Sequence, residues 1–537
     1  MSRHQDPPSP KPREKPHHHG ASLRGAIGKV AAASAFALML GEVVSLTQTV
    51  ALARLLSPAE VGLFAAGSVL ITFLGNFVEG GLRSGLVTRT SDVDDAAQTV
   101  FWATLLSGLG MCLATIAAAP ILALVFHSDT AGLVCAGMSG VLVLYSLTNV
   151  PEALLQREFS VRRRLIVGPS VATSFAVVSV TLASLGFGVW SLVVGSYASY
   201  AAWVIAVWSL CKWRPGQGHA SIRLWRELAR FGFPLVLGMF GDRVQKMGQA
   251  LVTGRALGPS GLGFLRYGER MARVPVSALI EVSSISLFPA FARIAGERDR
   301  MKTAYLRALG LVTLGAAAVS AMLVAVGEPL AVLVLGEKWR SAGVVLVAMA
   351  GLGLGKAFTT VSEEAIKGAG RTRLLNWYTL TETGLSLLLL VVLVRPFGLI
   401  GVALSISITA MVVGVVVTAL AQPVVGVSVR QILRVSLPPL LAAAVGLAVV
   451  APLEHFVMRS DTRDLWVGLG LLVVDGLVFL GIYIAVLLVI SPAEIRYVAR
   501  LLAGLRRRRQ QAVTGPDDVA VSEAETGQRP ADPSKRA

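Results

Sequence analysis

Charge is scarce in this chain: of 537 residues only 15% are Asp, Glu, Lys or Arg, against about a quarter in soluble globular domains. With 54% hydrophobic residues beside it, that scarcity excludes an ordinary soluble protein. Cysteine is rarer still. Cys112, Cys135 and Cys211 all lie in apolar stretches without metal-ligand spacing, so neither a disulfide framework nor a zinc site is indicated. Of seven histidines, three form a run in "DPPSPKPREKPHHHG", where polar, Pro-bearing sequence reads as a disordered tail rather than a metal site. No GxxxxGK[ST] loop and no HExxH occurs. No catalytic residue and no cofactor is therefore expected.

What the chain has instead is length of apolar run. Stretches of roughly 18 residues or more recur, each able to cross a hydrocarbon core of ~30 Å as a helix that satisfies its own backbone. The fold class is an all-α integral membrane protein. Fourteen helices are expected, near 25–53, 59–87, 95–118, 130–154, 165–185, 188–211, 231–254, 264–291, 303–335, 341–366, 374–394, 398–422, 436–457 and 465–490. The first of these, long and bearing Glu42, is not expected to be a cleaved signal peptide.

The net charge of +17 would point to nucleic acid in a soluble chain, but here the basic residues sit between apolar runs and set topology. Alternate connections, including "QREFSVRRR", "KWRPGQGHASIRLWRELAR" and the tail with "RRRR", hold with Arg83 35 of the 49 Lys and Arg; the other set, including "LGEKWR" and "EHFVMRSDTRD", holds 8. The positive-inside bias then places both termini of this multi-pass membrane protein in the cytoplasm, with the "RRRR" tail drawn to anionic membrane lipid. The outward connections are too short to hold an enzyme domain.

The sequence also repeats itself. "ARLLSPAEVGLF" (53–64) follows the first helix and "GRALGPSGLGFL" (254–265) the seventh, with Arg54 matching Arg255, Ser57 matching Gly258, Pro58 matching Pro259 and Gly62 matching Gly263. A shared helix-turn-helix corner opening two parallel six-helix repeats accounts for this, a plan in which secondary transporters place their site between the repeats. The expected organisation is a disordered basic tail over 1–24, an N-lobe over 25–211, a cytoplasmic linker over 212–230, a C-lobe over 231–423, two further helices over 436–490 and a basic tail over 491–537.

Six basic residues belong to neither set of connections: Lys29, near the first helix start, and Arg243, Lys246, Arg270, Arg273 and Lys356 within helices. Facing lipid, the last five would cost on the order of 12–17 kcal/mol together. They must snorkel, pair or line water. Asp242 with Lys246 and Glu269 with Arg273 are four apart and able to pair, leaving a surplus of cations suited to an anionic head group in a hydrated cavity. Arg243, Lys246, Arg270, Arg273 and Lys356 are thus the candidate substrate contacts. Glu42 and Asp242 are candidates for ion coupling, a protonated neutral carboxyl being the alternative for Glu42. Glu79 and Arg83, four apart near a cytoplasmic helix end, form a candidate gate or a simple internal pair. Glu281, Glu382 and Asp475 are lone acids of open role.

Several stretches together resemble a known family. "LARLLSPAEVGLFAAGSVLITFLGNFVEGGLRSGLVTR", "ALLQREFSVRR", "LGFGVWSLV", "FGFPLVLG", "GRALGPSGLGFLRYGERMARVP", "LFPAFARI" and "VLVLGEKWRSAGVVLVAMA" look like the Wzx-type lipopolysaccharide and exopolysaccharide exporters of the multidrug/oligosaccharidyl-lipid/polysaccharide (MOP) flippase superfamily, over residues 25–425. The resemblance implies two six-helix lobes around a central cavity, plus two helices, moving undecaprenyl-diphosphate-linked oligosaccharide repeat units from the cytoplasmic to the periplasmic leaflet. Polysaccharide polymerase and export machinery are the implied partners, and nucleic acid is not. Similar members carry a Tyr and an Arg near "YSLAYRLANLP", matched here at Tyr267 and Arg270, while Arg266 and Arg273 depart toward positive charge. A peptidoglycan lipid-precursor flippase and a MATE-like drug or cation antiporter are the alternatives.

Overall fold

The computed structural model describes residues 40–158, 161–492 and 496. The N-terminal tail with its His run, Lys29 and the "RRRR" stretch lie outside these residues, as does the side chain of Glu281. Among the described residues there is no strand, and ten helical stretches are long and apolar enough to cross a membrane. The helices are α1 (40–55), α2 (Pro58–Glu79), α3 (Leu82–Thr88), α4 (Val93–Phe126), α5 (Asp129–Met138), α6 (Val141–Arg157), α7 (Val161–Ser184), α8 (Val189–Leu210), α9 (Ile222–Arg293), α10 (Arg298–Leu335), α11 (Arg340–Ala348), α12 (Ala350–Gly368), α13 (Leu375–Val425), α14 (Val429–Pro452) and α15 (Leu465–Ile490). Helix α9 breaks at Gly258 and α13 at Gly398, both with positive φ, so each is two helices joined at a corner. Taken as two arms each, and with α1, they complete the fourteen expected helices. The first arm of α9 is absent from the ten apolar stretches, since Asp242, Arg243 and Lys246 interrupt it.

The exterior is apolar. Leu106, Leu113, Leu124, Ile205, Leu388, Val415 and Trp466 are all exposed, a surface that only lipid makes favourable. The contacts divide the chain into two compact units, Met1–Arg266 and Tyr267–Ala537. In the first, Leu86, Val100, Val150, Val207 and Leu228 are among the residues forming a core joining α3, α4, α6, α8 and the start of α9. Leu228 also explains why α9 begins at Ile222 inside the expected linker: one apolar residue is enough to dock an otherwise charged turn on the α4 bundle. In the second unit, Tyr305, Leu309, Val361, Ala365 and Val417 bind α10, α12 and α13. A further core from Ala317, Ala442, Phe479 and Tyr483 holds α14 and α15 on α10.

The repeated corner is visible in the first unit. Ser57 caps α2: its backbone N–H donates to Glu60 Oε2 at 2.7 Å and the Glu60 N–H donates to Ser57 Oγ at 3.3 Å, a reciprocal box of ~1 kcal/mol. At the matching position Gly258 makes the turn by backbone alone (φ 68°). The two corners touch reciprocally. A Cβ on Gly62 would overlap the Pro259 carbonyl, and one on Gly263 would overlap the Pro58 carbonyl. Residue i meets j′ and j meets i′, the signature of a local two-fold relation between equivalent pieces.

Candidate functional site

The expected helix over 59–87 is interrupted, and the interruption builds a cavity. Gly80 (φ 54°) and Gly81 (φ 71°) take left-handed conformations that end α2 at Glu79 and restart the chain as α3. Side chains other than hydrogen are excluded at Gly81, where the backbone meets that of Gly232 within α9's first arm. That close approach seats Phe240 against Phe73 and Phe77, with ring centroids 6.0 and 6.5 Å apart. The result is a cavity of about 250 Å³ lined by Phe73, Asn76, Glu79, Tyr145, Phe240 and Arg243, among others. Glu79 Oε2 accepts from the Tyr145 hydroxyl at 2.9 Å. Arg243 is half-buried, its Nε is inaccessible, and its guanidinium takes no ion pair among the described residues. An acid and a base thus share one cavity without neutralising each other.

Glu79 and Arg83 take partners on α6 instead of pairing with one another, because the Gly80–Gly81 break removes the shared helical face. Arg83 Nη2 reaches Glu152 Oε1 and Gln156 Oε1, both at 3.4 Å. Glu152, 5% exposed, also takes Arg163 of α7, whose Nε lies 2.8 Å away. One buried carboxylate therefore joins three helices. Glu152→Gln should destabilise the protein by about 3 kcal/mol, since it withdraws the buried carboxylate that Arg83 and Arg163 both reach; thermal unfolding in detergent reads this directly, and an unchanged melting temperature would refute the clamp.

The other candidates fall in different surroundings. Lys246 Nζ lies 3.0 Å from Asp242 Oδ2, and Arg273 Nη2 lies 2.6 Å from Glu269 Oε1, so both four-residue pairs form. Lys356 is not a surplus cation: Glu382 of α13 approaches its Nζ to 2.9 Å. These pairs are not dry, however, the side chains of Lys246, Arg273 and Lys356 being 45%, 47% and 32% exposed. Arg270 is half-buried one turn beyond Tyr267, which stacks on Trp339 at 4.3 Å between centroids. Gly268 permits that stack, as a Cβ there would sit 2.7 Å from the Ala342 carbonyl. Glu42 is exposed on α1. Asp475 is fully buried on α15. Among the described residues no group of three or more His, Cys, Asp or Glu is arranged to hold a metal. Tyr145, Glu152 and the pairing of Glu382 were not legible in the sequence, for each acts on a residue far along the chain.

Residues 51–343, more than half of the chain, match the family model described as "Polysaccharide biosynthesis protein". The chain belongs to that family. Among relatives of this polysaccharide biosynthesis protein, the succinoglycan biosynthesis transport protein ExoT of Rhizobium meliloti is 28% identical over 61% of the chain, which spans 66% of ExoT, just under two thirds of its length. The lipopolysaccharide biosynthesis protein WzxC of Escherichia coli is 23% identical over 78% of the chain and 86% of its own length. In three dimensions this family member resembles the lipid II flippase MurJ in an inward closed conformation (TM-score 0.70, 15% identity, 86% of this chain and 99% of that one). It also resembles an inward-facing MATE multidrug transporter of the MOP superfamily (TM-score 0.59, 17% identity, 72% and 94%). The chain is accordingly a member of this family built of many apolar helices, with the fold of these transporters.

Proposed function

We propose that the chain is a flippase that carries undecaprenyl-diphosphate-linked oligosaccharide repeat units from the cytoplasmic to the periplasmic leaflet of the inner membrane, without catalysing any bond change. The observation that carries this is Arg243: a half-buried guanidinium, without ion pair among the described residues, opening on a cavity with Glu79, Asn76 and Tyr145. An unpaired cation facing lipid would cost about 2.5–3.5 kcal/mol at the helix centre, so a hydrated, anion-accepting chamber is the economical explanation. Guanidinium suits the diphosphate because its planar fork binds phosphate oxygens two at a time. Lys246, Arg273 and Lys356, paired but partly open, are further cations with donors to offer phosphate, as is Arg270, close to Arg273 in sequence.

Diphosphate and sugars cannot enter hydrocarbon, so the head group takes the polar route while the polyprenyl tail stays in lipid. Alternating access would expose the site to each side in turn. A negative-inside potential favours outward movement of an anion by ~2.3 kcal/mol per charge per 100 mV. Glu42 and Asp242 stand as groups through which an ion gradient would add to this. The Glu152 clamp lies at the basic, cytoplasmic ends of its helices, and Glu79 with Arg83 flanks it as the gate.

Reconstitution into liposomes with fluorescent lipid-linked oligosaccharide tests this. Movement between leaflets is expected for the oligosaccharide probe, with lipid II and a cationic drug as comparison substrates. The Arg270→Gln/Arg273→Gln double variant should insert and fold but fail to move the probe. Normal transport by that variant, or preference for either comparison substrate, would dispose of the proposal.

A further inference from the structure

A second cavity, of about 370 Å³, lies in the first unit where α4 begins, α6 ends and the chain leaves α8. Its lining includes Asp94, Arg157, Glu158, Lys212 and Trp213. Two cations and two acids thus surround one space, yet among the described residues none of the four forms an ion pair. Opposite charges left unpaired across a shared cavity are those that a ligand bearing both signs would bridge. Two hydrogen-bond donors are also orphaned: Arg157 Nη1 and Trp213 Nε1 are inaccessible and have no partner, although Trp213 is only 5% exposed. A buried donor without a partner costs ~1–3 kcal/mol, which an incoming acceptor would recover.

The wall of this cavity is built rather than floppy. The segment after α8 is strapped to the first turns of α4, with the Gly216 N–H donating to Gln98 Oε1 at 2.8 Å, the His219 N–H to Asp95 Oδ1 at 2.8 Å and the Ser221 N–H to Thr99 Oγ1 at 3.0 Å. Arg214 turns back to donate to the carbonyls of Cys211 and Trp213, with its guanidinium 5.6 Å from the Trp208 ring centre. Phe101, Trp102, Trp208 and Trp213 cluster here, with centroid separations of 5.6 to 6.2 Å, and Trp102 is 46% exposed. A cluster of tryptophans at helix ends marks the depth of lipid head groups. The connections that meet here are among the most basic in the chain.

We propose that this cavity binds the head group of a zwitterionic phospholipid carrying a primary ammonium, of phosphatidylethanolamine type. Its phosphodiester accepts from Arg157 and Lys212, and its ammonium donates to Asp94 and Glu158. A purely anionic lipid would satisfy the donors but meet two carboxylates. A quaternary ammonium would have no N–H for those carboxylates.

The test is native mass spectrometry of the full chain in detergent, titrated with phosphatidylethanolamine, phosphatidylglycerol and phosphatidylcholine, and separately with soluble phosphoethanolamine. Phosphatidylethanolamine should bind about tenfold more tightly than either other lipid, and about tenfold less tightly to Arg157→Gln or Asp94→Asn, the worth of one charge-assisted hydrogen bond. Lys212→Gln, on an exposed side chain, gives the same reading should Arg157→Gln not fold. Equal binding of phosphatidylglycerol, or unaltered binding by both Asp94→Asn and Lys212→Gln, would overturn the proposal. So would soluble phosphoethanolamine binding as tightly as the lipid, for then no membrane lipid is required.

Discussion

Alanine at Gly62 is expected to destabilise the folded protein by about 3 kcal/mol, and alanine at Gly263 by a similar amount. In each case the added methyl has no side chain to push aside. It meets the carbonyl of the proline that opens the opposite corner, Pro259 for Gly62 and Pro58 for Gly263, so the two helices must separate. In a bilayer no hydrophobic force between helices compensates for lost close packing, which is why small residues hold such contacts. The reciprocal geometry gives a sharper test than either variant alone. Once one methyl has forced the corners apart, the second finds room, and the double variant should lose clearly less than the sum of the two. Thermal unfolding of the four proteins in detergent completes the cycle; strict additivity, or a wild-type melting temperature in both single variants, would mean that the corners do not bear on one another.

Arg243→Gln is expected to act in the opposite manner, leaving stability intact while reducing transport of lipid-linked oligosaccharide by about tenfold to a hundredfold, the loss of a charge-assisted phosphate contact worth ~1.5–3 kcal/mol. A cation that holds a fold together has a counter-charge, and its removal orphans that partner. Arg243 has no ion-pair partner among the described residues, so nothing is orphaned when it goes. Lys356→Gln is the natural contrast, because it strips Glu382 of the ammonium 2.9 Å away and should lower the melting temperature. Proteoliposome transport and thermal unfolding, measured on both variants, separate the two roles. Full transport by Arg243→Gln would remove Arg243 from the site.

Much of this fold can be read along the chain because membrane helices announce themselves locally: a run long enough to cross hydrocarbon needs no distant partner to be recognised. The corner at Gly258 is legible for the same reason, since its Pro and Gly recur at Pro58 and Gly62. The break at Gly80 and Gly81 is not, because apolar residues continue on both sides of it at helical spacing and adjacent glycines permit either outcome. What closes a cavity is harder still. Tyr145 reaches Glu79 across 66 positions, and Glu382 lies 26 positions from Lys356 on another helix. The periodicity that places a charge on a helix face says nothing about which other helix that face will meet. Hence the cations themselves were legible and their neutralisation was only half so: pairs four residues apart on one helix were visible, and the pair between α12 and α13 was not.

The first arm of α9, with Asp242, Arg243 and Lys246 close together along it, is too polar to be held in lipid on its own account, while the helical stretches before it are not. During biosynthesis such an arm leaves the ribosome after its hydrophobic predecessors and cannot partition by itself. It has to be taken into the bilayer by helices already there, through Gly232 on Gly81 and Leu228 on Gly85, with Gly263 on Pro58 fixing the corner beyond it. The glycines that seat this arm are thus assembly signals as well as packing sites, and the order in which the ribosome releases the helices becomes part of how the protein is made.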